Sequence, residues 1–297
     1  MFAVMVAALT NSLSKDSSAF VLFAQRSPLT LFFLMAYAWA WTVWFLVPRI
    51  VRQHGLGWKF DTFEITLIIV GAFGPTVAAS ITRWLAFRDL RICPVWTGSS
   101  NIALGIIFGA AGLFVATVAL PAIAIAKAPL YALHWSTLLH WSTYNINYSN
   151  FLGGPLNEEP GWRGFALPRL QARFGPFFAS MILAPLWAAW HLPMFLIPGW
   201  NTASLWEYIL ILLGVSVVMT GAASLARFSV LVAILLHAFF NLSAGVLNAL
   251  IGKLPSRSHD TLVYAFAVCG AGIIIGWAGF RKVPAPSKLR LSSADNV

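Results

Sequence analysis

The chain has 297 residues, 59% hydrophobic and only 9% charged, with a mean hydropathy of +0.79, whereas a soluble domain carries about 25% charged residues. A soluble globular class is therefore excluded and a polytopic membrane protein is left. The net charge of +10 does not mark a nucleic-acid binder, because the basic residues lie in short segments between apolar stretches, where they set topology.

In chain order, Met1 to Leu9 is a short apolar run whose first charges, Lys15 and Asp16, follow it. That is the wrong order for a secretory signal, so residues 1–28 read as a surface-lying or disordered leader. Crossing about 30 Å of hydrocarbon takes roughly 20 apolar residues in a helix. Spans are expected over Leu29–Val47, Phe63–Ile81, Ile102–Ala126, Phe177–Ile197, Trp206–Leu225, Ser229–Ile251 and Leu262–Phe280. An eighth, between about Tyr144 and Leu170, is the least apolar: Asn145, Asn147, Asn150 and Asn157 make it a poor lipid-facing helix, and Gly153, Gly154 and Pro155 mark a break. Such a segment belongs in the protein interior or beside a water-filled cavity. The expected fold class is all-α, a polytopic bundle of about eight transmembrane helices.

Loop charge gives the direction. With eight spans, Arg49, Arg52, Lys59, Lys127, Lys253 and Arg257 fall on one side and the other thirteen of the nineteen Lys and Arg on the opposite side. The richer side, with both termini, is expected in the cytoplasm. Cys93 and Cys269 are too few and too far apart to read as a disulfide framework or a metal site. His134 and His140, beside Trp135 and Trp141, read as an interfacial belt. Glu207 stands at the outer mouth of a span, where a solvated carboxylate is expected.

Charge inside the spans carries the functional information. Ionised groups cost roughly 3 kcal/mol each to insert into hydrocarbon, so they tend to face a site. Asn157-Glu158-Glu159-Pro160-Gly161-Trp162-Arg163-Gly164 holds three of them, and His191 and His237 each stand in a later apolar stretch. At 1.5 Å per helical residue, Glu158 lies roughly 22 Å from Arg173, His191 roughly 21 Å from Phe177 and His237 roughly 15 Å from Arg227. Three separate segments thus bring polar groups to comparable depth, which points to one pocket. Glu159 and Arg163 are four apart, the spacing for an ion pair on one helix face, and Glu158 points about 100° away. Arg163 is expected to pair with Glu159 and fix the helix, leaving Glu158 to act as a general base on water. His237 and Asn241, again four apart, present an imidazole and an amide together, and Trp187 lies one turn before His191, where it can pack on that ring. Ser180, Ser216 and Ser243 have no adjacent base, which disfavours a serine nucleophile.

Glu158-Glu159-x-x-x-Arg163, Trp187-x-x-x-His191 and His237-x-x-x-Asn241 resemble, in order and spacing, the three signatures of the CPBP intramembrane proteases. That group includes the type 2 CAAX prenyl proteases and bacterial proteins linked to bacteriocin self-immunity. The resemblance covers roughly Pro155 to Ala244 and departs from the family pattern in two places: Trp187 stands where many members have Phe, and Pro160 follows the glutamate pair. It implies a CPBP-like core over 144–251, preceded by membrane helices over 29–143 and followed by a last span and cytoplasmic tail over 252–297, in a bacterial or archaeal plasma membrane. The implied activity is peptide-bond hydrolysis on a membrane-embedded or lipid-modified substrate. Glu158 and His191 would activate water, His237 and Asn241 would stabilise the oxyanion, and Glu159, Arg163 and Trp187 would support the geometry. The resemblance leaves a catalytic zinc at Glu158, His191 and His237 open, since two His and one Glu are a legitimate ligand set; a water activated by Glu158 without an obligatory metal is the favoured reading. The competing readings are a non-catalytic scaffold or bacteriocin-immunity factor and a proton-coupled transporter.

Overall fold

The computed structural model describes residues 19–47, 49–50, 60–89, 101–126, 151, 153–196, 203–226, 229–251 and 258–280. Met1 to Leu9, Cys93, the His134 and His140 belt, Asn145, Asn147, Asn150 and the tail after Phe280 lie outside the described residues. Residues 19–26, at the end of the expected leader, are helical, and Ala24 packs there with Leu31, Leu85 and Ala86.

Every regular element among the described residues is helical. Long apolar runs make this the economical solution, because a helix satisfies its own backbone groups inside a bilayer. In chain order they are α1 (Pro28–Leu46), α2 (Phe60–Ala72), α3 (Gly74–Phe87), α4 (Ile102–Ile125), α5 (Pro155–Gly161), α6 (Leu167–Trp190), α7 (Leu205–Leu225), α8 (Val230–Ile251) and α9 (His259–Phe280). Among the described residues, seven helical runs are long and apolar enough to cross a membrane. The chain is an integral membrane protein with a polytopic helical fold.

The expected fourth and fifth spans form a single helical run, Pro155–Trp190, and that run is not straight. Gly175 has φ 75° and ψ 167°, a conformation that glycine adopts without Cβ strain, and Pro176 follows it. In an unbroken helix Glu158 and Trp187 would lie roughly 43 Å apart. Instead Trp187 Nε1–H donates to Glu158 Oε2 at 2.8 Å, so the chain folds back at Gly175. Two passes result, as expected from hydropathy, joined by one Gly-Pro step.

α7 lies at the centre and is the most buried span. Its packing on α9 depends on small residues: a Cβ on Gly214 or Gly272 would overlap the backbone of the facing helix, the close-approach packing common between membrane helices. Glu207, at the start of α7, is only 3% exposed, which corrects the expectation of a solvated carboxylate. It closes a capping box, accepting from Ser204 N at 2.6 Å and Ser204 Oγ at 2.7 Å, and its other oxygen accepts from Thr261 Oγ1 of α9 at 3.1 Å. A cap that also ties two helices together repays the desolvation of the carboxylate.

Candidate active site

α5 starts where the sequence predicts a break. Gly154 precedes the helix, Pro155 opens it, and a proline costs nothing at a position whose N–H has no helical partner. Glu158 thereby falls in the first turn, where the helix dipole favours a carboxylate. Pro160 does not end the helix. The backbone continues from Gly161 into a π-helical turn, Trp162–Ala166, the kind of widening found at functional sites. Two contacts with α3 fix α5: Thr76 Oγ1 donates to the Asn157 carbonyl, and a Cβ on Gly161 would overlap the Pro75 backbone.

His191 caps the C-terminal end of α6, and α1 holds that end in place. Tyr37 Oη donates to the Leu186 carbonyl at 2.6 Å, Trp41 Nε1 to the Trp190 carbonyl at 3.0 Å, and Trp190 Nε1 back to the Ala36 carbonyl at 3.2 Å. His237 and Asn241 are carried by α8.

These elements meet around one cavity of about 160 Å³, whose lining includes Glu158, Trp187, His191, His237 and Asn241. A Cβ built on Gly154 would lie 3.3 Å from Glu158 Oε1, 3.6 Å from His237 Nε2 and 3.6 Å from Asn241 Nδ2. Carboxylate, imidazole and amide therefore surround one point, backed by a residue without a side chain. Glu158 and His237 are buried, whereas Asn241 is exposed.

Glu159 and Arg163 stand behind the cavity. Arg163 Nη1 donates to Glu159 Oε1 at 2.9 Å, with both side chains buried, as the spacing predicts. That oxygen also accepts from His237 Nδ1 at 2.8 Å. A carboxylate can only accept here, so the ring hydrogen is on Nδ1 and neutral His237 turns a lone pair on Nε2 toward the shared point. The same logic holds for His191, whose Nδ1 donates to the Trp187 carbonyl at 2.9 Å, leaving the lone pair on Nε2. His237 can thus donate to an oxyanion only after it has taken up a proton.

Sequence reasoning missed several contributors. Trp187 is expected to pack on His191; its ring lies 6.1 Å from that imidazole and 5.0 Å from His237, and it also donates to Glu158. Gly154 reads in sequence only as a breaker. Trp44 and Ile68, from α1 and α2, and Met194, Tyr208 and Phe240 complete the lining of the cavity with largely apolar side chains. The signals available were the Gly153-Gly154 pair next to the glutamates and a polar-tipped Tyr208 within an apolar span. Nothing local in the sequence marks Trp44.

Among the described residues, no three His, Cys, Asp or Glu groups are arranged to hold a metal ion. Glu158, His191 and His237 line one cavity without forming a zinc ligand set in these positions.

Comparison with known proteins gives a family-model match and a similar relative. Residues 141–243 match the family model described as Type II CAAX prenyl endopeptidase Rce1-like. Over 98 residues, 30% of this chain, the sequence is 31% identical to the CAAX prenyl protease 2 of Methanococcus maripaludis, and that match spans 36% of the relative's length. Glu158, Glu159, Arg163, Trp187, His191, His237 and Asn241 all fall within the stretch that matches the family model.

Proposed function

We propose that the protein is an intramembrane endopeptidase that hydrolyses a peptide bond of a membrane-embedded or lipid-modified substrate. One observation carries the reading: Glu158 Oε1, His237 Nε2 and Asn241 Nδ2 lie around a single point in a cavity that His191 also lines. The name of the relative, CAAX prenyl protease 2, supports a prenylated peptide as the first substrate to try.

A water in the cavity beside Gly154, within reach of Glu158 Oε1 and His237 Nε2, meets two acceptors, the carboxylate oxygen and the imidazole lone pair. Glu158 takes its proton, assisted by His191, and the hydroxide attacks the peptide carbonyl carbon. Asn241 Nδ2–H donates to the oxyanion that forms, joined by His237 when its ring is protonated. The proton held by Glu158 then passes to the amide nitrogen as the C–N bond breaks and the oxyanion collapses, giving a carboxylic acid and an amine. General-base catalysis by a positioned side chain is worth roughly 100- to 10,000-fold, and one oxyanion donor about 100- to 1,000-fold.

The test uses the purified full-length protein in lipid vesicles with a farnesylated peptide ending in Cys-aliphatic-aliphatic-X and its unprenylated counterpart. Cleavage is expected from the unmodified protein, a loss of 100-fold or more in Glu158→Gln, and a comparable loss in Asn241→Ala. Activity should persist in a chelated, metal-analysed preparation; a loss that zinc alone restores would overturn the metal-free mechanism. Full cleavage by Glu158→Gln would sink the enzymatic reading and return the scaffold alternative.

A further inference from the structure

Trp187 touches four of the charged or ionisable groups at the site, Glu158, His191, Arg163 and His237. Its Nε1–H donates to Glu158 Oε2 at 2.8 Å, and its carbonyl accepts from His191 Nδ1 at 2.9 Å. The Arg163 guanidinium carbon lies 4.2 Å from the centroid of its ring, and the ring meets His237 edge-on at 5.0 Å. The side chain is only 1% exposed.

A buried indole N–H needs an acceptor, and in a helical protein the readiest is a backbone carbonyl. The buried Trp162 Nε1 has no hydrogen-bond partner among the described residues, but Trp41, Trp44 and Trp190 follow that pattern, donating to the carbonyls of Trp190, Leu67 and Ala36, as does the exposed Trp39 to Val70. Trp187 departs from it by donating to a carboxylate, and does so on the oxygen turned away from the point shared by Glu158 Oε1, His237 Nε2 and Asn241 Nδ2. A carboxylate on a rotatable stem has no intrinsic reason to keep one oxygen there. Fixing Oε2 fixes Oε1.

We infer that Trp187 is the positioning residue of this centre, its indole N–H anchoring Oε2 of Glu158 so that Oε1 is held toward the water. The Arg163 guanidinium against the ring face and the Glu159 carboxylate behind it keep the indole in register. The inference rests on the hydrolytic reading only in its kinetic arm.

The experiment replaces the donor and keeps the shape. Trp187→Phe retains a ring for Arg163 and the carbonyl for His191. If that variant folds poorly, benzothienylalanine at position 187 preserves the bicyclic outline without an N–H. Infrared bands of the Glu158 carboxyl group are identified by their loss in Glu158→Gln, and both variants are expected to shift them. On the farnesylated peptide, kcat should fall about tenfold or more, as expected for a lost hydrogen bond to a charged group, with KM within about twofold since uniform binding is untouched. Unmoved bands overturn the proposal whatever the rate does, and so do shifted bands with an unchanged kcat. Should the unmodified protein cleave neither peptide, the enzymatic reading falls while the bands still decide whether Trp187 holds Glu158.

Discussion

Glu159 and Arg163 form an ion pair in the protein interior, yet Glu159 Oε2 and Arg163 Nε and Nη2 have no hydrogen-bond partner among the described residues. Replacing such a pair by apolar side chains is often neutral or stabilising, so stability alone does not account for it. Its geometry does: Glu159 Oε1 sets the tautomer of His237, and Arg163 lies on the ring that holds Glu158. The smallest residue at the site is as constrained as the charged ones. A methyl group on Gly154 would lie 3.3 Å from Glu158 Oε1, close enough that the carboxylate has to shift by a few tenths of an ångström, and it would crowd the space beside Gly154 in which the water is proposed to sit. Gly154→Ala is expected to leave the melting temperature of the purified protein within a few degrees while kcat falls roughly 10- to 100-fold, the scale at which small misplacements act. Unchanged kcat in a well-folded Gly154→Ala protein would mean that the water lies elsewhere.

At the scale of elements, the reversal at Gly175 determines whether the glutamates reach the histidines at all. Five of the expected spans are found within a few residues of their hydropathic limits, because length and apolarity are local properties of the chain, while the one expected over Phe63–Ile81 runs on to Phe87. The reversal is also marked locally, by Gly175-Pro176. No atom lies within 4 Å of a Cβ built on Gly175, so a substitution there acts through backbone conformation and not through a clash. Gly175→Ala should cost about 1–3 kcal/mol, the range for a non-glycine residue held in a glycine-only region. It should lower the midpoint of thermal unfolding in detergent and reduce the yield of active protein, with KM of the folded fraction unchanged. An unshifted midpoint would show that the turn tolerates a side chain and that its φ is not what sets the hairpin. Glu207 illustrates the opposite case. Its position near a span end suggested exposure, and only the approach of Thr261, 54 residues away, buries it.

For the whole molecule, the site divides into a part that the sequence announces and a part that it conceals. Charges, imidazoles and an amide are conspicuous in apolar spans, so Glu158, His191, His237 and Asn241 were legible. Their second partners depend on how distant helices are rotated against one another: Glu159 with His237 at a separation of 78 residues, Trp187 with Glu158 at 29. The same division runs through the comparison, since residues 141–243 supply every polar group whereas Trp44 and Ile68 of the cavity's apolar wall come from helices before that stretch. Trp44 is fixed by its bond to the Leu67 carbonyl at 3.0 Å, packs edge-on against Trp190 with ring centroids 4.6 Å apart, and lies 6.3 Å from the His191 ring at an interplanar angle of 19°. Polar groups from the matched stretch and an apolar lining to which α1 and α2 add Trp44 and Ile68 imply that these two residues bear on selectivity. Trp44→Phe, which trims the wall without emptying it, should therefore change which residue is accepted beside the scissile bond more than it changes the chemistry. With paired peptides carrying Ala or Phe at that position, the kcat/KM ratio should move toward the larger residue by roughly tenfold, the discrimination that a few methylenes give an apolar pocket. A uniform fall in kcat for both peptides would instead assign Trp44 to the support of His191 and move selectivity away from α1.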